Sequence, residues 1–137
     1  MIVVAIIGTL AAIAIPYYSG YLEKVRTQAV IEELRQIDKQ INIFFILNNR
    51  YPENLAQIGL GNLLDPWGNP YQYLDVTSVK GKGKCRKDHA NNPVNLDFDL
   101  YSMGPDGKSS SPFTAKASRD DIVRANNGSF FGRVSDY

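Results

Sequence analysis

The first fifteen residues constrain the fold of this chain more than any other stretch. The run Met1 to Ile15, MIVVAIIGTLAAIAI, carries no charge, and Pro16 follows it directly. Fifteen helical residues are about 22 Å long, whereas the hydrocarbon core of a bilayer is about 30 Å thick. The run is therefore slightly too short to span a bilayer comfortably. The run is also too apolar on every side to be an amphipathic core helix. We therefore predict that residues 1–20 form an apolar helix that lies in a membrane or among other apolar helices.

The next segment, residues 21–48, continues the helix but has only one apolar face. Neither Gly nor Pro interrupts residues 21–51. Apolar residues recur there at steps of three and four, and charged residues fill the other faces, which is typical of a helix packed on a sheet. The pattern starts at Tyr18, just before this segment, and continues with Leu22, Val25, Ala29, Val30, Leu34, Ile37, Ile41 and Phe44. One long helix is therefore expected from near the N-terminus to about Asn48.

Gly8 and Pro16 mark the weakest part of that helix. Pro16 has no N–H to donate to the carbonyl of Ala12, and a proline in a helix interior costs about 3 kcal/mol. Gly8 adds backbone freedom eight residues earlier. A simple kink and a local unwinding are both compatible with this pattern. We expect the segment from Gly8 to Pro16 to unwind when the helix is packed among copies of itself.

The rest of the chain, up to residue 137, predicts a small head rich in turns. The stretch from Asp65 to Pro70, DPWGNP, combines dense turn signals with the only tryptophan, so Asp65, Trp67 and Gly68 are candidate turn anchors. Two runs with strand character follow, near residues 71–76 and 96–102. In the second run, apolar residues alternate with acidic ones, which indicates one buried face.

A basic insertion, residues 77–95, separates the two predicted strands. Its sequence KGKGKCRK alternates glycine with Lys80, Lys82, Lys84, Arg86 and Lys87. This composition predicts a flexible, solvated hairpin loop, although a patch that binds an acidic partner is also possible. The insertion lacks the interleaved aromatic residues of nucleic-acid sites, and the whole chain has a formal charge of only +1. We therefore expect no nucleic-acid partner.

The residues that enzymes use for catalysis are scarce in this chain. It has one histidine, His89, and one cysteine, Cys85, both within the basic insertion. Their spacing matches neither a haem-attachment motif nor a zinc signature, and a single cysteine excludes an internal disulfide. We therefore expect no enzymatic activity.

The tail, residues 103–137, has little periodicity and many small polar residues, so we predict a long irregular loop. Asp106, Asp120 and Asp121 lie in it. Carboxylates combined with loop carbonyls form sites for hard cations such as Ca²⁺, which takes six to eight oxygen ligands. The spacing is not that of an EF-hand, and turns capped by Asp side chains, including an N-cap at Asp120, explain the pattern equally simply.

Three motifs resemble the type IV pilin superfamily and, within it, the major pseudopilins of type II secretion systems. They are the N-terminal IVVAIIGTLAAIAIPYYSGY, the turn LLDPWGNPY, and LYSMGPDG followed by DDI at residues 120–122. The resemblance implies an α+β fold with a lollipop shape. A long N-terminal helix packs on a small antiparallel sheet, and a C-terminal loop binds calcium. The implied calcium ligands are the side chains of Asp106, Asp120 and Asp121 and the carbonyls of Met103 and Ser118.

The resemblance also implies a structural role. Such subunits wait in the bacterial inner membrane and polymerise through their N-terminal helices into a helical filament, which is periplasmic in secretion and lies on the cell surface in pili. The implied partners are copies of the same chain, other pilins or pseudopilins, and an assembly platform in the inner membrane. Two other functions remain open: the major pilin of a type IV pilus, and a membrane-anchored binding module that uses the basic insertion.

Two departures from the family pattern accompany this resemblance. Family members open with an aromatic residue and carry a Glu a few residues later, whereas this sequence opens at Met1 inside the apolar run. We expect either that residues are missing from its start or that its processing differs. The final RANNGSFFGRVSDY extends beyond the usual end of this branch, which keeps the type IV pilin alternative open.

Overall fold

The computed structural model of the protein describes residues 1–81 and 83–137. A single α-helix, α1, spans Ile2–Asn48 and is therefore about 70 Å long at the usual helical rise. It ends where Asn49 adopts a left-handed conformation with φ 52° and donates its backbone N–H to the carbonyl of Phe45 at 2.7 Å. Asparagine is one of the few residues that enter this region easily, which explains the stop. The long helix predicted from the sequence is confirmed.

Four short strands form one antiparallel sheet in sequence order. They are β1 (Gln72–Asp75), β2 (Phe98–Ser102), β3 (Ile122–Ala125) and β4 (Phe130–Arg133). The first two confirm the predicted strands near residues 71–76 and 96–102, each with slightly narrower bounds. The prediction of an irregular tail over residues 103–137 is wrong, because this segment contributes β3 and β4. The fold is the predicted α+β arrangement.

The amphipathic part of α1 packs on one face of this sheet. Val30, Leu34, Ile37 and Ile41 are buried against side chains that include Phe98, Leu100 and Ile122. These helical positions are three or four residues apart, so they lie along one stripe of the helix. The predicted apolar face is therefore the face that covers the sheet.

The opposite face of the sheet is covered by loop segments. A second cluster joins Val94 and Phe113 to Val123, Ala125 and Val134. Strand β3 consequently lies between two apolar layers, and all four of its residues are buried. Burial on both faces removes the alternation of apolar and polar residues by which a strand is recognised in sequence. This is the physical reason why β3 was missed.

Candidate functional site

The first twenty residues of the helix are an exposed apolar surface. Every side chain from Met1 to Gly20 is exposed, and α1 includes a stretch that is long and apolar enough to cross a membrane. Soluble monomers rarely expose contiguous apolar patches larger than a few hundred Å². The large apolar members are Ile2, Val3, Val4, Ile6, Ile7, Leu10, Ile13 and Ile15. This surface can be covered by lipid or by other apolar helices.

The helix passes through Pro16 without a break in the single subunit. Gly8 and Pro16 both lie within continuous α1, and a Cβ at Gly8 would meet no atom within 4 Å. The hydroxyl of Ser19 donates to the carbonyl of Pro16 at 2.9 Å. This segment is held only by such local bonds and by the helix backbone, because its side chains are exposed rather than packed on the head. Its unwinding inside a filament stays a prediction.

The residues predicted as turn anchors, Asp65, Trp67 and Gly68, form a turn in the structure. Buried Asp65 accepts bonds at Oδ1 from the backbone N–H groups of Trp67 at 3.0 Å and Asn69 at 2.9 Å. Its other oxygen, Oδ2, accepts from the Ser102 hydroxyl at 2.6 Å, at the end of β2. Gly68 has φ 87°, which L-residues adopt poorly. One carboxylate thus shapes the turn and ties it to the sheet.

Arg124 on β3 joins the helix to the sheet, and sequence reasoning missed it. Its Nε donates to Asp38 Oδ1 on α1 at 2.5 Å, and its Nη2 donates to Asp97 Oδ2 at 2.7 Å. Its Nη1 also donates to the carbonyl of Phe98 at 3.1 Å, and the guanidinium lies 3.9 Å from the centre of the Phe98 ring. The sequence separation from Asp38 is 86 residues. No local pattern signals a pair that distant.

The structure brings two of the predicted calcium ligands together. Asp106 donates its backbone N–H to Asp120 Oδ2 at 3.2 Å, while Asp106 Oδ1 accepts from the N–H of Lys108 at 2.7 Å. Gly104 makes this approach possible, because a Cβ there would lie 2.5 Å from the carbonyl oxygen of Asp120. Both carboxylates therefore hold the backbone of their own loop, as in the capped turns that the sequence also allowed.

The third predicted carboxylate, Asp121, serves a different contact. It is fully buried, and its Oδ2 accepts from Arg86 Nη2 at 2.7 Å and from the Ser109 hydroxyl at 2.6 Å. Burial raises the pKa of Asp121 to about 6, although the bonds from Ser109 and Arg86 act in the opposite direction. Asp121 is thus engaged with a permanent cation, the guanidinium of Arg86.

The predicted backbone ligands for calcium are the carbonyls of Met103 and Ser118. The carbonyl of Ser118 accepts from the N–H of Asp121 at 3.2 Å, and Met103 lies half-buried beside Gly104. Across residues 1–81 and 83–137, no three His, Cys, Asp or Glu side chains lie close enough to hold a metal ion. In this arrangement the predicted carboxylates are therefore not gathered into one cluster of three. Calcium binding by the loop stays a prediction.

The basic insertion is more ordered than its composition predicted. Cys85 and Arg86 are buried, and the N–H of Lys87 donates to the carbonyl of Ser111 at 2.9 Å. Lys80 and Lys84 occupy its surface as expected, and Lys82 lies outside the described residues. The prediction of a flexible, solvated loop is therefore wrong for residues 85–87. With Arg86 used internally, the surface for an acidic partner is correspondingly smaller.

Comparison with known proteins assigns the chain to a family. It is 30% identical over 129 residues to type II secretion system core protein G of Pseudomonas aeruginosa, covering 79% of this chain and 80% of that protein. It is 28% identical over 131 residues to the protein of the same name from Aeromonas hydrophila, covering 79% of each.

A shorter match reaches the type IV major fimbrial protein FimA of Dichelobacter nodosus. Identity is 37% over 78 residues, but the match covers only 57% of this chain and 49% of that protein. No family model and no solved structure matches the chain. The matches to the two secretion proteins each cover 79% of this chain, whereas the fimbrial match covers 57%. The chain belongs to the family of type II secretion system core protein G, the major pseudopilins.

Proposed function

We propose that this pseudopilin polymerises through residues 1–20 into a helical filament that drives type II protein secretion. The observation that carries the proposal is the exposure of every side chain in that segment, next to a head that is packed without its help. The apolar surface has no cover within the subunit. Its cover therefore comes from outside, first from lipid and then from the same segment of other copies.

The physical step of assembly is an exchange of surroundings. In the inner membrane, lipid tails cover the apolar side chains. When the subunit leaves the membrane, these side chains stay out of water only if neighbouring helices replace the lipid. Burial of apolar surface is worth roughly 25 cal/mol per Å², which makes an uncovered helix of this composition unfavourable in water. Extraction and polymerisation are therefore expected to be coupled. The work is mechanical, and the subunit itself makes or breaks no covalent bond.

The head supplies a second requirement of a filament, which is a rigid unit attached to the helix. Arg124 joins β3 to Asp38 on α1, and Arg133 on β4 donates to Glu23 Oε1 on the same helix at 2.6 Å. Two ion pairs, fifteen residues apart along the helix, fix the direction of α1 relative to the sheet. We infer that force applied to a filament reaches the head through these contacts and the apolar core beneath them.

The proposed partners and location follow from the family. Before assembly the subunit lies in the bacterial inner membrane, and an assembly platform there extracts it together with other pseudopilins. The filament then extends into the periplasm. The surface pilus is the second candidate, which the shorter match to a fimbrial protein supports. Filaments that stay within the periplasm of secreting cells would support the secretion function. Long filaments on the surface of cells that express the protein at its natural level would support a pilus.

A matched pair of lysine substitutions tests the filament proposal. In Ile13→Lys the charge enters the exposed apolar segment, and in Gln40→Lys it enters an exposed position of the polar part of the same helix. Expressed as the full chain with a type II assembly machinery, the first variant is expected to lose filaments at least tenfold. A charge within apolar surroundings costs about 3 kcal/mol. Electron microscopy of sheared cell fractions measures the yield.

Membrane fractionation of the same cells separates the two stages of the proposed route. Gln40→Lys is expected to form filaments like the unaltered chain, and Ile13→Lys is expected to stay in the membrane fraction. Normal filaments from Ile13→Lys would refute a filament core built from residues 1–20. If the unaltered chain never yields filaments with its machinery, the proposed function fails as a whole.

A further inference from the structure

Arg86 is a buried cation that extends from the basic insertion into the C-terminal loop. Arg86 is 4% exposed. Its Nη2 donates to Asp121 Oδ2 at 2.7 Å, and its Nη1 donates to the Ser110 carbonyl at 2.6 Å and to the Ser109 hydroxyl. One guanidinium thus collects a carboxylate, a carbonyl and a hydroxyl from two separate parts of the tail. These are the kinds of oxygen that a calcium ion would collect.

Two aromatic rings complete the surroundings of this guanidinium. Its central carbon lies 4.3 Å from the ring centre of Tyr101 on β2 and 5.2 Å from that of Phe113 in the tail. Ring faces attract cations and exclude water from them. A buried carboxylate bonded to the guanidinium and two nearby rings together form a site for a positive charge. Arg86 fills that site from within the chain.

The backbone on either side of Arg86 fixes its direction. Its N–H donates to Asp99 Oδ2 at 2.7 Å, and its carbonyl accepts from the N–H of Val94 at 2.9 Å. The following residue, Lys87, bonds the tail through its carbonyl, which accepts from the N–H of Phe113 at 2.9 Å. The insertion therefore forms part of the wall of the loop. A side chain held this firmly at its base loses little further freedom when its fork binds Asp121.

A calcium ion beside Asp121 would have to share the carboxylate with this guanidinium. Two positive charges on one buried carboxylate repel each other, and arginine keeps its charge at every physiological pH. Among the described residues, Asp121 Oδ1 and Arg86 Nε are buried without a hydrogen-bond partner. Oδ1 alone offers one oxygen, and a calcium site needs six to eight. The remaining predicted carboxylates, Asp106 and Asp120, hold the backbone of their own turn.

We propose that Arg86 is a built-in cation that orders the C-terminal loop in place of the calcium ion that the family resemblance predicts. The insertion that carries Arg86 and the tail that carries Asp121 then stabilise each other. The stability of the head is consequently independent of calcium. The proposal does not depend on which filament the subunit forms, because thermal stability and calcium binding are properties of the single subunit.

The first experiment compares calcium with chelator on the unaltered full chain in detergent micelles. Thermal unfolding is followed by near-ultraviolet circular dichroism, with excess EDTA or with millimolar CaCl₂. A ligand that binds only the folded state raises the melting temperature as its concentration rises. Because we expect no such binding of calcium, the two melting temperatures should agree within about 1 °C, which is comparable to the reproducibility of such melts. A rise of several degrees with calcium, or a stoichiometric heat of calcium binding by titration calorimetry, overturns the proposal.

The second experiment removes the guanidinium. Arg86→Gln is expected to lower the melting temperature by several degrees in either solution, whereas Lys84→Gln, which removes an exposed cation of the same insertion, is expected to leave it unchanged. Arg86→Lys keeps the charge without the fork and is expected to lie between these two. An unchanged melting temperature in Arg86→Gln overturns the proposal.

If Arg86→Gln does not fold well enough to melt cooperatively, Asp121→Asn provides the alternative route. That variant keeps the shape of the carboxylate and weakens its pair with Arg86, so it is expected to destabilise equally with and without calcium. Destabilisation that appears only in the presence of calcium would instead identify Asp121 as a metal ligand, which contradicts the proposal.

Discussion

The two halves of α1 belong to the same helix but have opposite environments. In the apolar half, residues 1–20, every side chain is exposed. In the amphipathic half, residues 21–48, one face is buried under the sheet, and the buried positions are Val30, Ile31, Leu34, Ile37 and Ile41. The more hydrophobic half is thus the one that the subunit leaves uncovered. Hydrophobicity in this chain therefore marks contact with other molecules in one half and internal packing in the other.

Polar contacts follow the same division. The apolar half has only local hydroxyl bonds, such as Thr9 to the carbonyl of Ile6 at 2.9 Å. The amphipathic half is tied to the head through Asp38, Glu23 and Glu33, which accept hydrogen bonds from Arg124, Arg133 and Tyr71. Head stability should therefore respond to substitutions in residues 21–137 and be indifferent to those in residues 1–20. Three predictions test this division.

The largest expected effect comes from Arg124→Met. Methionine keeps much of the apolar stem but leaves the carboxylates of Asp38 and Asp97, which are 79% buried at the side chain, without their cation. Removing one partner of a buried pair typically costs about 3–5 kcal/mol. Urea unfolding of the full chain in micelles, followed by fluorescence of the sole tryptophan, Trp67, measures the change in the free energy of unfolding for the head.

Arg50→Met is the matched control for this prediction. Arg50 pairs with Glu53 at 3.9 Å, and more than half of each side chain is exposed, so its loss should cost less than about 1 kcal/mol. Equal effects from the two variants would show that the contacts of Arg124 do not join the helix to the sheet more strongly than a surface pair does.

The next prediction compares the same substitution in both halves of the helix. Ile37 is 1% exposed and Ile7 is 61% exposed. Ile37→Val removes a buried methyl group and should cost about 1 kcal/mol, whereas Ile7→Val should leave the free energy of unfolding of the head unchanged. The same urea titration measures both. A comparable loss from Ile7→Val would mean that the apolar half contributes to the stability of the head.

The sequence predicted those features that local pattern encodes. The two halves of α1 differ in periodicity, and the turn at Asp65 is formed by consecutive residues with strong turn preferences, so both were predicted. Strand β3 is buried on both faces and β4 has the sequence FFGR, so neither shows the alternation of apolar and polar residues that reveals a strand. Their register depends on contacts with β2 and with the helix rather than on local preference.

The buried charges were the part that sequence reasoning could not reach. Arg86 stands in KGKGKCRK, where its neighbours predict solvent, and its partner Asp121 lies 35 residues away. Arg124 meets Asp97 at a separation of 27 residues and Asp38 at 86. Burial of a charge is decided by which long-range partner neutralises it, and a single sequence does not display that pairing.

The smallest expected effect on the head comes from Pro16→Ala, within the apolar half of α1. Alanine restores an N–H at position 16 that can donate to the carbonyl of Ala12, and it removes a helix-interior proline that costs about 3 kcal/mol locally. Amide hydrogen exchange by NMR in micelles should therefore slow around residues 12–17. The urea midpoint of the head should not move, because these residues contact nothing in the sheet.

The two readouts of Pro16→Ala make the last test of the division specific. Slower exchange with an unchanged midpoint is expected if the segment from Gly8 to Pro16 is held only by its own backbone bonds. A shifted midpoint would show that strain at Pro16 reaches the sheet through the helix. Unchanged exchange would show that Pro16 is not a weak point at all, and the predicted unwinding of this segment in a filament would then lose its physical basis. Filament assembly of the same variant therefore shows whether the helix must unwind at Pro16. Loss of filaments in Pro16→Ala is expected if unwinding is required, and normal filaments are expected if it is not.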